Sequence, residues 1–411
     1  MRISTSALYA TSTSQLGTLQ TQMARTQMQL STNKRMLSAA DDPIAAARAL
    51  DVTQSQSINT QFSTNRQNAR SSLSQEEVAL TGVQQLIQDV QTTVVAAGSG
   101  ANSASDRATY ANELSGRLDD LMALANTSDG NGGYVFSGFK SSTVPFVKTA
   151  TAVDYQGDQG QVQLQVASAR KVAMSDSGSA VFTNIATGNG AFVTAGGAAN
   201  TGTGAVTAGT VSDPRLLTGH TYAIDFATDS ATPPVTSYTI LDKTTNTTVP
   251  PAPAVAAQPY TSGAPISVGG MSFAVSGVPL AGDTFSVQPS EKQSLFTTLS
   301  KMIDTLRAPA DTPAQKQALT DGLAQGSTNL SAALDNVLAV RSSVGARQKE
   351  LDSLDTVGDD ADLQYASTLS GLQDLDVVKA ISLFTQQQTT LDAAQKTFKS
   401  MAGLSLFNYI S

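Results

Sequence analysis

Residues 58–94 read INTQFSTNRQNARSSLSQEEVALTGVQQLIQDVQTTV, and the placing of the apolar side chains in this stretch decides the fold. Ile58, Phe62, Asn65, Ala69, Leu73, Glu76, Leu80, Val83, Ile87, Val90 and Val94 follow one another at steps of three and four, interrupted by one extra residue between Ala69 and Leu73. Such steps line one stripe of an α-helix, the seam of a coiled coil. Asp42-Pro43 marks where this helix begins: an Asp side chain accepts orphan amide protons, and Pro is pre-shaped for the first helical position. The spacing predicts one helix from Pro43 to Ala97, roughly 80 Å long at about 1.5 Å per residue, more than an ordinary globular domain accommodates.

The same texture extends on both sides. From Ala7 to about Asn126 the chain is rich in Gln, Ser, Thr and Ala, with Pro43 its only proline. Leu16, Leu19, Met23, Thr26, Leu30, Asn33 and Leu37 predict a first helix, and Tyr110, Leu114, Leu118, Leu121 and Ala125 a shorter third one. The far end repeats the pattern through Leu323, Gly326, Leu330, Ala333, Val337, Val340, Val344, Arg347, Leu351 and Leu354. It does so again through Ile381, Phe384, Gln388, Leu391, Gln395, Phe398 and Ala402. Neither terminal half has enough apolar seam to bury alone, so the two ends must meet in one bundle.

Between Gly133 and Pro289 the period changes to short alternating runs punctuated by Gly, Pro and Asn. Val162–Val166 and Tyr238–Leu241 have strand composition between turn residues. Asn184–Pro214, rich in Gly, Ala and Thr, reads as a loose linker, and Val249–Pro253 as a stiff connector or a loop. The fold class expected is therefore α+β, with long coiled-coil helices from both chain ends and an inserted β-rich module. The expected division is 1–40 and 380–411 as terminal helices that order on assembly, 41–134 and 290–379 as the bundle core, 135–184 as a hairpin or strand segment, and 185–289 as the outer module.

The chain has 411 residues, 14% of them charged, a formal net charge of −8, no Cys, no Trp and one His. That acidic balance argues against nucleic acid and against an anionic membrane surface. Without Cys there are no disulfides and no thiolate metal sites. No apolar run of signal-peptide length follows Met1-Arg2-Ile3-Ser4-Thr5-Ser6, and no stretch approaches a membrane helix. Export would then use a dedicated route without a cleaved signal.

Catalytic candidates are few. Asp41-Asp42, Asp119-Asp120 and Asp359-Asp360 are adjacent carboxylates that point apart on a helix or turn, so they read as caps and solvated faces. His220, the only histidine, reads as part of a turn before a strand. Gly130-Asn131-Gly132-Gly133 lacks the Lys-Ser/Thr of a phosphate loop and reads as a turn. No catalytic residue, cofactor site or metal site is assigned.

Several ordered segments carry a resemblance. Met1-Arg2-Ile3-Ser4-Thr5, Leu30-Ser31-Thr32-Asn33-Lys34-Arg35-Met36 and Asp41-Asp42-Pro43 are similar to the start of the hook-associated protein 3 family and, more loosely, of flagellins. Gly133-Tyr134-Val135-Phe136-Ser137-Gly138, Pro145-Phe146 and Tyr155-Gln156-Gly157-Asp158 resemble that family's turn-and-strand segment. Gly345-Ala346-Arg347, Leu372-Gln373-Asp374-Leu375-Asp376, Gln386-Gln387-Gln388 and the ending Ser405-Leu406-Phe407-Asn408-Tyr409 complete the set. The ending resembles this family rather than flagellin. Asn33 stands where family members often have Gly, and Asn is the next-best residue for a left-handed backbone position, so the first helix ends near Thr32 or runs on to Leu37.

The resemblance implies a structural role in the bacterial flagellum, outside the cell at the hook–filament junction. It implies as partners hook-associated protein 1, flagellin, further copies in a ring and, beforehand, a cytosolic export chaperone. The terminal apolar residues are the candidate partner interface: Leu16, Leu19, Met23 and Leu30, then Phe384, Leu391 and Phe398, then Leu404, Leu406, Phe407 and Tyr409. Large apolar groups near a free chain end mark a partner surface. The competing readings are a flagellin filament subunit and a coiled-coil surface adhesin. An enzyme housed in the inserted segment would need convergent polar groups that the segment lacks.

Overall fold

The computed structural model describes residues 5–149, 152–229, 235–250 and 257–406. The helices are α1 (Thr5–Thr32), α2 (Pro43–Ala97), α3 (Ala104–Ala125), α4 (Leu295–Arg307), α5 (Pro313–Gln373) and α6 (Val377–Leu406). The chain is α+β, as the two periodicities predict, and it divides into two compact units. Unit 1 comprises residues 1–65 and 352–411, unit 2 residues 66–351. Unit 1 is larger than the expected terminal segments because the start of α2 and the end of α5 join it, with Asn59 Nδ2 donating to Gly358 O at 2.8 Å.

Unit 2 has a dense helical core. Leu73, Leu80, Val83, Ile87 and Val90 of α2 are buried, as are Leu114, Leu118 and Leu121 of α3 and Leu330, Val337, Val344 and Leu351 of α5. α4 packs on α3 and buries Leu295, Phe296, Leu299, Met302, Ile303 and Leu306. α4 shows no seam in the sequence, since thirteen residues are too few to display one, although its apolar residues recur at helical spacing behind the Ser294 cap. Gly326, a seam position of α5, is explained here: a Cβ would meet Met302 Cγ at 2.5 Å, so only glycine allows α4 this close.

A carboxylate lies within this core. Glu76 of α2 is fully buried, its Oε1 accepts from Asp176 N–H at 3.0 Å, and its Oε2 has no hydrogen-bond partner among the described residues. Asp176 is in turn ion-paired with Arg347 of α5 and accepts from Gln161 Nε2 at 2.6 Å. Burial, with the Asp176 charge second, pushes the Glu76 carboxyl up to about 8.

The segments with family resemblance in 133–158 lock onto one another. Asp158 Oδ1 accepts from Phe139 N–H at 2.9 Å and Gly160 N–H at 2.8 Å, and these backbone bonds hold its pKa below the usual range. Tyr155 OH donates toward Phe136 O and Asp158 O at 2.9 and 2.6 Å. Gly138 has φ +70 and a Cβ there would strike Asp158 Oδ1, so the turn requires glycine. Phe136, Phe146, Phe182 and Phe296 meet at ring distances of 4.9–6.0 Å. Burying each ring contributes on the order of 1.5–3 kcal/mol. Residues 133–138 are thus a run of turns, their peptide groups bonded to Ser141, Thr127 and Asp158, and the strand of this segment begins at Phe146.

Strands begin with the pair β1 (Phe146–Lys148) and β2 (Val153–Tyr155) and the hairpin β3 (Gln163–Ala167) and β4 (Arg170–Ala173). After β5 (Ile185–Ala186) come β6 (Phe192–Gly196), β7 (Ala205–Val206), β8 (Thr210–Val211), β9 (Tyr222–Thr228), β10 (Thr236–Asp242), β11 (Thr247–Val249), β12 (Gln258–Pro259), β13 (Pro265–Val268), β14 (Met271–Ser276), β15 (Thr284–Pro289) and β16 (Lys292–Gln293). One antiparallel sheet runs β11-β10-β9-β15-β6 with β12 beside β10, and another β13-β14-β7 with β8 beside β14. Alternate residues such as Ile224, Phe226, Ile240, Phe273 and Phe285 fill a core of their own. Asn184–Pro214 is no linker: β6 pairs with β15 over five residues, because Phe192 and Thr194 alternate inward in a stretch whose small residues disguise the period. Part of the Val249–Pro253 connector lies outside the described residues. Ala186 pairs with Lys292 and Ile185 with Gln293, so the two ends of this module leave side by side.

Candidate assembly interface

Unit 1 is built around two breaks. α1 stops at Thr32 because Asn33 adopts φ +54, the left-handed position its side chain tolerates best among non-glycine residues. The chain then forms a bridge between Lys34 and Asp374. Arg35 N–H donates to Gln373 O at 2.8 Å, Arg35 Nη2 to Leu372 O at 2.9 Å, Lys34 Nζ to Gln373 Oε1 at 2.8 Å and Leu375 N–H to Asn33 O at 3.2 Å. The motif residues around Asn33 and Asp374 therefore serve one another. Asp376 starts α6, its Oδ1 accepting from Lys379 N–H at 3.0 Å. Asp41 Oδ2 accepts from the Leu37 and Ser38 amides, which hold its carboxyl below the usual range with help from Arg25 at 2.7 Å. Asp42 caps α2 through Ala45 N–H at 3.0 Å. Both acidic residues of that pair are thus structural.

α1 and α6 pack antiparallel, with Tyr9 against Phe398 (ring centroids 4.8 Å apart) at one end and Lys34 against Asp374 at the other. Leu16, Leu19, Met23, Leu30, Phe384 and Phe398 are half-buried and Leu391 is buried, so these side chains share the covered side of the pair. Leu404 and Leu406 fall in the last turns of α6. Phe407 and Tyr409 lie outside the described residues. Thr26 is also buried and bonds its own helix through Gln22 O, whereas the seam glutamines Gln388 and Gln395 are exposed.

Among the described residues of unit 1, Leu391 is the one large apolar side chain that is buried; the other buried hydrophobic residues there are Ala45, Ala49 and Ala380. Large apolar groups stand in solvent instead. Val378 is 81% exposed, Leu363 72%, Ile44 and Leu50 69%, Val357 62% and Ile381 52%. These side chains are the candidate partner surface, since exposed apolar groups that gather on one face mark interaction sites. Apart from Ile381, which is a seam position, these residues lie outside the seams that periodicity reveals. The signal was present in what remained: Val377 and Val378 are apolar, lie off the seam and precede the seam residue Ile381 by one helical turn. Among the described residues no helix is long and apolar enough to cross a membrane, and no group of three or more His, Asp or Glu side chains is placed to hold a metal ion.

Residues 3–141 match the family described as the bacterial flagellin N-terminal helical region. The chain is 29% identical over 408 residues to flagellar hook-associated protein 3 of Escherichia coli strain K12, covering 99% of each chain. Among solved structures it is similar to flagellar hook-associated protein 3 of Legionella pneumophila, with a TM-score of 0.74 and 32% identity over 78% of this chain and 98% of that one. A structure described as the flagellar junction protein FlgL of Legionella pneumophila gives a TM-score of 0.72 at 31% identity, over 80% and 100%.

Proposed function

The chain belongs to the flagellar hook-associated protein 3 family, and on that premise we propose that it is a structural junction piece between the flagellar hook and the flagellin filament. Its partners are hook-associated protein 1 on the hook side, flagellin on the other, and neighbouring copies of itself in a ring. A cytosolic chaperone holds it before export, and its work is done outside the cell. The work is mechanical rather than catalytic: transmitting torque requires apolar contact, not an arranged acid and base. The observation that carries this reading is the uncovered apolar surface of unit 1, which is drawn from helices at both ends of the chain.

Immuno-gold labelling of intact flagella with an antibody to residues 190–285 tests the location. A single band at the distal hook supports the reading, and label along the filament would make the chain a filament subunit. Val378→Asp with Ile381→Asp tests the surface. Both side chains are exposed, so the monomer should melt as before, while cells carrying only this variant should secrete flagellin without building filaments.

A further inference from the structure

The dipeptide Asn-Gly occurs at Asn131-Gly132 and at Asn189-Gly190, and the structure treats the two in opposite ways. At Asn189 the carboxamide oxygen accepts from Ala191 N–H at 3.1 Å and Phe192 N–H at 3.0 Å. Its nitrogen donates to Gly209 O at 3.1 Å and Ala208 O at 3.4 Å, and the following Gly190 N–H donates to Thr187 O at 3.2 Å. Every reactive group there is engaged.

At Asn131 the arrangement is reversed. Asn131 is exposed, and neither its carboxamide nor the Gly132 N–H makes a hydrogen bond with any described residue. A Cβ on Gly132 would meet nothing within 4 Å, so the peptide group stands in open space. The flanking amides are the ones that fix the turn: Asn131 N–H and Gly133 N–H both donate to Asp129 Oδ1 at 2.8 Å, and Gly130 N–H to Ser128 Oγ at 3.2 Å. The single amide left out of this scheme is the nucleophile that an asparagine side chain needs.

We propose that Asn131 is a self-modification site at which the folded protein converts the carboxamide to aspartate and isoaspartate, while Asn189 is protected. The Gly132 nitrogen, after losing its proton to hydroxide, forms a bond to Asn131 Cγ. The Cγ–Nδ2 bond breaks and the side-chain nitrogen leaves as ammonia, closing a five-membered imide. Water then opens either carbonyl, giving aspartate or, with one more methylene in the main chain, isoaspartate. Nothing is oxidised or reduced; one water enters, one ammonia leaves and the loop gains a negative charge beside Asp129.

The test is to hold the folded full-length protein at mildly alkaline pH and follow the peptides containing residues 131 and 189 by mass spectrometry, with fragmentation that identifies isoaspartate. Asn131 should convert at least about tenfold faster than Asn189, because freeing Asn189 first breaks several hydrogen bonds. In urea the two rates should become equal, since each asparagine is followed by glycine. Equal rates in the folded protein, or an intact Asn131 beside a converting Asn189, would overturn the proposal.

Discussion

Asn33 shows how one side chain can set the length of a helix. The sequence left two end points for α1, and φ +54 at Asn33 selects Thr32. Asn33→Gly should leave unit 1 as stable or slightly more so, whereas Asn33→Ala should cost about 1 kcal/mol in urea unfolding, since alanine enters the left-handed region at greater expense. Glu76 makes the complementary point about the core. Its position in the seam was readable, but its burial beside Asp176 was not, because that neighbour arrives from 100 residues away. In the native state the carboxyl keeps its proton up to about pH 8, while the unfolded chain releases it near the ordinary 4.5. The stability tied to that proton is complete below the lower value and is lost as pH rises through the upper one. Glu76→Gln, which mimics the protonated form, should therefore flatten the fall in melting temperature between about pH 4.5 and 8, a difference on the order of a few kcal/mol once the pH has passed the upper value. A variant that falls as steeply as the wild type would show that Glu76 is not the group responsible.

At the scale of elements, the long helices were legible because apolar residues three and four apart survive any amount of polar decoration. α2 spans the expected residues Pro43–Ala97, and α5 extends beyond its seam to Gln373. The strands of 185–215 were not legible: Gly, Ala and Thr can fill a sheet when a partner strand such as β15 supplies the large residues. The candidate interface was legible only in part. The seam residues of α1 and α6 emerged from periodicity, but the exposed set around Val378 and Leu363 belongs to no period. α1 and α6 bury little beyond Leu391, while α4 and the middle of α5 are sealed on several sides. Amides near Leu19 and Leu391 should accordingly exchange with solvent far faster than those near Val337, and limited proteolysis of the monomer should trim both ends first. Equal protection at the three positions would mean that the terminal pair is stable without a partner.

For the whole molecule, the proposed function means that folding and assembly draw on different surfaces. Unit 2 has cores of its own among the helices and within the β module, and unit 1 leaves several of its large apolar groups in solvent. Replacing residues 188–290 by a short Gly/Ser linker should leave the remaining helices with an unchanged circular dichroism signal per helical residue and cells that still swim. Loss of filaments despite stable export of the shortened chain would show that the module carries an obligatory contact. The pairing of Ile185 and Ala186 with Gln293 and Lys292 has a practical corollary. Paired strand residues lie about 5 Å apart at Cα, the separation found between the termini of many small independent domains. Cutting at this neck turns the protein into a display scaffold: a nanobody, an enzyme or an antigen with adjacent ends could be spliced in there and held at the neck in place of the β module.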